Sequence, residues 1–178
     1  MKITLFRFCN VLLLTLLCAC ASPDVAQYAK NAPVFDPVQF FSGKTDAWGM
    51  FQKRGGEVVK RFHVEITGSE QDGKLTLDER FVYDDGATQQ RIWTLTHQPD
   101  GSWRGTAGDV VGEAVGRAAG NALNWRYTLL LPVDGKTYEM EMDDWMFLMD
   151  RQTMINRTSM SKFGFEVGQV TLFFRKRN

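Results

Sequence analysis

Apolar and polar side chains alternate with a period of two through residues 58–97. Val58, Lys60, Phe62, Val64 and Ile66 fall on one side of a strand, with Arg61, His63 and Glu65 on the other. After Asp72-Gly73 the pattern resumes as Leu75, Leu77, Glu79, Phe81 and Tyr83, and after Asp85-Gly86 as Arg91, Trp93, Leu95 and His97. Alternation interrupted by such dipeptides predicts half-buried strands joined as hairpins. Asp100-Gly101 and Asp134-Gly135 turn the chain again, and further strands are predicted near 102–106, 122–131, 136–149, 153–160 and 166–175. Short connections force antiparallel neighbours, because a parallel crossover needs about a dozen residues or more. The expected fold is all-β: an antiparallel up-and-down meander of about 8–10 strands that closes into a barrel and so removes its edges. No long helix is expected.

One stretch breaks the pattern. Gly108, Gly112, Gly116 and Gly120 recur at every fourth position. As a helix, this segment would place Asp109, Glu113 and Arg117 on one face, but each interior glycine costs a helix about 1 kcal/mol relative to alanine. A glycine-rich strand and loop, bent or bulged at the barrel rim, is the favoured reading.

The hydrophobic pattern also fixes which residues of the 74–97 hairpin face inward. With Asp84 opposite Thr88 across a three-residue loop, Leu77 faces Leu95, Glu79 faces Trp93 and Phe81 faces Arg91. Glu79 and Arg91 then become diagonal neighbours, which long side chains can bridge. An internal Glu79–Arg91 ion pair is expected. It is either a satisfied structural pair or part of a cavity in which Arg91 receives a carboxylate or phosphate bidentately.

The N-terminus changes the picture of where the domain sits. Lys2 and Arg7 precede an uncharged apolar run from Val11 to Leu17. That run is too short to span a bilayer, which needs about 20 apolar residues. It matches the apolar region of a secretory signal. Leu17-Cys18-Ala19-Cys20 follows, the pattern of a bacterial lipobox, with Ala21 and Ser22 and no Asp beside the cysteine. The expectation is cleavage after residue 19, lipidation of Cys20, and an envelope protein on the inner leaflet of the outer membrane, facing the periplasm. Residues 20–39, with Pro23, Pro33 and Pro37, read as a tether, and residues 40–178 as the barrel domain.

Cleavage would leave 159 of the 178 residues with Cys20 as their one cysteine, so no disulfide is available. A chain of that length buries roughly 70% of its unfolded surface, enough for one core. The precursor balances 21 basic against 21 acidic side chains, and loss of Lys2 and Arg7 brings the net charge to −2. Nucleic-acid binders concentrate positive charge, and no nucleic-acid partner is expected; Arg175-Lys176-Arg177 reads as a solvated terminus.

Ala47-Trp48-Gly49, Asp78-Glu79-Arg80-Phe81, Arg91-Ile92-Trp93, Gly112-Glu113-Ala114, Gly120-Asn121-Ala122, Trp125-Arg126-Tyr127, Asp143-Asp144-Trp145-Met146 and Asn156-Arg157 together resemble a family of small proteobacterial lipoproteins, domain-of-unknown-function family 3833. The resemblance runs from the lipobox to Arg175. It implies a lipocalin-like (calycin-type) barrel. It also implies a link to lipid chemistry, since members are often encoded near enzymes that modify fatty acids. No activity comes with it.

Catalysis finds little support. His63 faces outward and His97 ends a strand near Pro99, with no serine or cysteine placed as a recognised nucleophile. Asp143 and Asp144 are adjacent and point to opposite faces of a strand, so a hard-cation site with several converging oxygens is not expected. A salt bridge from Asn156-Arg157 to that acidic stretch is. No cofactor and no metal are implied. Trp48, Trp93, Trp103, Trp125 and Trp145 are expected mostly in the core.

Together these features predict a lipid-anchored barrel that binds a fatty acid, phospholipid or other amphipathic lipid and acts in lipid metabolism or transport. Arg91, Glu79, Trp93, Phe81, Trp125 and Tyr127 would line its site. The alternative is a structural or interaction lipoprotein with a filled barrel that docks a protein partner through its glycine-rich rim.

Overall fold

Ten strands alternate up and down in chain order and close on themselves. The computed structural model describes residues 23–177. The strands are β1 (Gly43–Lys53), β2 (Val58–Gln71), β3 (Lys74–Tyr83), β4 (Thr88–His97), β5 (Ser102–Thr106), β6 (Val110–Ala119), β7 (Ala122–Val133), β8 (Lys136–Leu148), β9 (Thr153–Lys162) and β10 (Phe165–Lys176). Each pairs antiparallel with its sequence neighbour, and β10 pairs with β1, from Thr45 opposite Lys176 to Lys53 opposite Gly168, leaving no free edge.

The turn residues set the registers. Asp72-Gly73 and Asp134-Gly135 are two-residue loops with both residues at positive φ, the geometry that matches strand twist in a hairpin. At the β3–β4 hairpin the loop is Asp84-Asp85-Gly86, with Tyr83 N–H donating to Ala87 O (2.9 Å). The register therefore differs by two residues from the one expected. The left-handed glycine of such a loop, Gly86, is its last residue and not its middle one. A shift of two keeps every side chain on its face. It places Leu77 opposite Trp93, Phe81 opposite Gln89, and Glu79 directly opposite Arg91.

The glycine-rich segment is a wall strand, β6, whose register shifts between Val111 and Val115. Its glycines do different work. A Cβ on Gly116 would lie 2.4 Å from the Trp125 ring, so this strand is bare where a tryptophan crosses it. Gly120, at positive φ, turns the chain beneath the backbone of Tyr28.

One end of the barrel is filled. A 3-10 helix (Val25–Tyr28) packs on the outer wall, where Tyr28 meets Trp145 and Phe147 with ring centroids 5.9 and 5.2 Å away. The chain then rounds the end through α1 (Pro37–Phe41), capped by Asp36, whose carboxylate accepts from Val38 N–H at 2.8 Å. Phe35, Phe40 and Phe41 enter the main core with Leu75, Leu95, Trp103 and Phe174. Lys176 Nζ donates to the carbonyls of Gln39, Phe40 and Ser42. The packed body thus begins near Val25, well before Phe40, because the segment read as a tether carries apolar side chains that bury. Cys20 and residues 1–19 lie outside the described residues.

Trp93, Trp103 and Trp125 face the interior. Trp48 does not: it lies half exposed on the outer wall against His63 and Phe173, since β1 turns Ala47 inward. Trp145 is also on the outer wall, under the 3-10 helix. Among the described residues no helix is long and apolar enough to cross a membrane.

Candidate functional site

Above the filled end, inward-facing polar side chains form a belt across the barrel. On one wall, Arg91 (β4) donates from Nε and Nη2 to the Asp109 carboxylate at 2.8–3.0 Å. Its Nη1 lies 3.9 Å from Glu79 Oε2 on β3. Phe81 lies beneath the guanidinium, 5.4 Å from Cζ to the ring centre. Asp109 comes from the β5–β6 connection and also accepts from Gln89 Nε2, while Gln89 Oε1 accepts from the Tyr83 hydroxyl at 2.7 Å. The expected Glu79–Arg91 approach is present, but the closer partner of Arg91 is Asp109.

On the facing wall, Asp144 (β8) points inward beside Thr158 and Asn156 of β9. Thr158 Oγ1 donates to it, Asn156 Nδ2 lies 3.5 Å away, and the Tyr127 hydroxyl bonds to it from β7. The Tyr127 ring stands edge-on to Trp93 at 5.3 Å, and Trp93 meets Trp125 at 5.9 Å. All six residues expected to line the site therefore face the interior. Trp125 lies deepest, against Gly105 and Gly116.

Arg91 faces three carboxylates. Burial pushes Glu79 up to about 7, only partly opposed by Arg91, with Asp109 and Asp144 adding to the rise. Burial likewise raises Asp144 to about 6 against the hydrogen bonds from Thr158, Asn156 and Tyr127. Arg91 feels burial downward, but Glu79 and Asp109 outweigh it and hold the guanidinium charged. Burial raises Tyr127 well above the ordinary phenol value. The physical cause is common to all: a dry interior disfavours charge that lacks a partner. Below about pH 6 the belt therefore holds protons on both Glu79 and Asp144, whereas near neutral pH Asp144 is mostly ionised and Glu79 alone keeps a large protonated fraction.

The belt is wetter toward the second end of the barrel. Arg91 and Glu79 keep 14% and 15% side-chain exposure. Beyond them the inward-facing Phe51, Phe62, Tyr83, Leu131, Tyr138 and Val170 are only partly buried, and Leu129, Met140, Met142 and Met160 form a second small cluster. This end is a mouth lined by aromatic and flexible apolar side chains.

Asp109, Gln89, Tyr83, Asn156 and Thr158 were not foreseen as part of the belt. Asp144 was legible from its parity with Met140 and Met142, whereas Asp109 sits in a connection whose path no alternation reports. The acidic pair divides as expected, with Asp143 outside. Asp143 pairs with Arg126 at 3.1 Å, while Arg157 donates to Gln169, so the salt bridge expected from Arg157 is made instead by Arg126. The cause is register: Arg126 lies opposite Asp143, and Arg157 opposite Trp145. His63 faces outward and meets Asp46 at 3.1 Å.

The family described as protein of unknown function, DUF3833, matches residues 14–176. The chain belongs to that family. No curated protein matches it. Among solved structures, it is similar to the S-type phycobiliprotein lyase CPES from Guillardia theta, with a TM-score of 0.56 at 5% identity over 82% of this chain and 99% of that one. It is also similar to a de novo designed fluorescence-activating β-barrel (TM-score 0.43, 10% identity, 80% of this chain and 99% of that one). A barrel bound to DFHBI, EF1p2_mFAP2b, gives a TM-score of 0.43 at 7% identity over 79% and 96% of the two chains. The lyase supports the lipocalin-like barrel fold of this DUF3833 member. At 5% identity it carries the fold alone.

Proposed function

We propose that this protein is a lipid-anchored envelope protein whose barrel takes up a fatty acid or another amphipathic lipid through its mouth, in lipid metabolism or transport. The observation that supports this best is the contrast between the two ends. One end is filled by Phe35, Phe40 and Phe41, while at the other the inward-facing apolar side chains are only partly buried, with a charged belt beneath them. Pockets for small molecules are mostly apolar with a few converging polar groups, and this half of the barrel has that composition.

The belt suggests how an acidic headgroup would be held. Asp109 occupies Nε and Nη2 of Arg91, but Nη1 meets Glu79 only at 3.9 Å, beyond a hydrogen bond. A ligand carboxylate there would receive Nη1–H from Arg91 and O–H from protonated Glu79, and its chain would run out past Leu129, Met140 and Met160. Charge-assisted bonds of this kind are the strong ones. A second reading, a filled barrel that works through a protein partner, is favoured by the close pairing of Arg91 Nε and Nη2 with Asp109.

The test is native mass spectrometry of residues 21–178 made in a bacterial periplasm, with extraction of anything bound. A fatty acid or phospholipid at one per chain, lost in Arg91→Gln with the fold intact by circular dichroism, supports the ligand reading. A chain that stays apo when both are offered refutes it and moves the assignment to a filled barrel. The anchor is tested separately: Cys20→Ala should abolish incorporation of a labelled fatty acid and release the protein from the membrane fraction.

A further inference from the structure

Three hairpins of this barrel use two-residue loops with both residues at positive φ: Asp72-Gly73, Asp134-Gly135 and Phe163-Gly164. The first two carry the short polar residue that tolerates this conformation. The third places phenylalanine there, at φ 52°. A bulky side chain in the left-handed region is an outlier that folding alone does not favour, and such strain persists where a function uses it. Phe163 is also 86% exposed, so burial of the ring does not repay the conformation.

Its neighbour adds a second ring. Phe165 is 70% exposed and pairs across the hairpin with Lys162. Lys162 continues the inward face of β9 beyond Met160, so Phe165 and Lys162 project on the mouth side. The Lys162 ammonium stands 3.9 Å above the Tyr138 ring and 5.2 Å from that of Phe163. The hairpin is an apolar lip with a cation at its base, continuous with the walls of the mouth. Among the described residues, Lys162 and also Lys136 at the same end have no carboxylate within salt-bridge distance, while Arg54 helps to hold the Glu166 carboxyl low.

We infer that the Phe163–Phe165 lip inserts into a lipid surface and sets the mouth of the barrel against it. Two exposed rings beside such cations match the interface of an anionic bilayer, where apolar side chains sink below the headgroups and lysines stay at their level. The lip itself requires neither the anchor nor a ligand in the barrel.

The experiment uses residues 21–178, which carry every strand, the cap and both core clusters. The protein is co-sedimented with vesicles of phosphatidylethanolamine and phosphatidylglycerol, and compared with Phe163→Asn and the double variant Phe163→Asn/Phe165→Thr. The wild type should partition onto the vesicles, each lost ring should lower the partition coefficient about tenfold, and added salt should weaken binding further. Phe163→Asn should melt at the same temperature as the wild type or higher, because asparagine suits the left-handed position. That gain distinguishes a lip kept for contact from a ring kept for packing. Absence of wild-type binding, or binding that the double variant retains, overturns the inference. So does a concentration-dependent dimer that disappears in the variant, which would assign the lip to a second copy of the chain.

Discussion

Replacing Glu79 by Gln keeps the shape of the side chain and removes its ionisation, so it isolates what the belt does to the carboxyl. In the folded protein burial lifts Glu79 from 4.5 to about 7. The native state therefore holds a proton that the unfolded chain releases earlier. The stability linked to this proton is fully present below about pH 4.5 and is lost as pH rises to and through about 7. A displacement of that size corresponds to about 3 kcal/mol. The discount for solvent is small, since the side chain is only 15% exposed. Asp144, lifted from 3.8 to about 6, steepens the wild-type curve over a lower and overlapping interval. Carboxylates held low by partners, such as Asp46 against Arg177, act in the opposite direction at acid pH, but they are common to both proteins and cancel in the difference. Urea unfolding of wild type and Glu79→Gln at about pH 4.5, 6 and 8 should show the variant gaining about 3 kcal/mol relative to wild type from the lowest pH to the highest. A difference constant to within about 0.5 kcal/mol over that range would refute the account of Glu79 as a buried, proton-holding group.

Removing the cation should be worse than removing either acid. Arg91→Met leaves the part-buried Asp109 and the buried Glu79 without their cation and should cost about 2–4 kcal/mol by urea unfolding at neutral pH, less under acid conditions where Glu79 is protonated. Gly116→Val puts side-chain atoms where the Trp125 ring lies 2.4 Å from a built Cβ. It should destabilise by about 1–3 kcal/mol and shift the tryptophan emission. Phe41→Ala opens the filled end beside Phe174 and should cost about 3–5 kcal/mol. Hydrogen exchange should then speed first where α1 meets β2, around Gly68.

Much of this barrel was legible along the chain because a strand's faces follow from parity alone. Alternation placed Leu77, Glu79, Phe81, Arg91 and Trp93 on one surface, and the Asp-Gly turns forced antiparallel neighbours. Even a two-residue error in the β3–β4 register left those faces intact, since the side-chain period is two. Parity also put Asp143 and Asp144 on opposite faces. What alternation cannot report is which strands meet across the barrel, or where irregular connections run. The closure of β10 on β1, the arrival of Asp109 beside Arg91, and Tyr127 bonding to Asp144 are contacts between segments far apart in sequence. The proline-rich stretch before Phe40 looked like a tether because nothing local says that Phe35 will find the barrel's end. The protonation of Glu79 was likewise decided by tertiary structure: the sequence supplies a carboxyl on an inward face, and only closing the barrel removes the water that would keep it ionised.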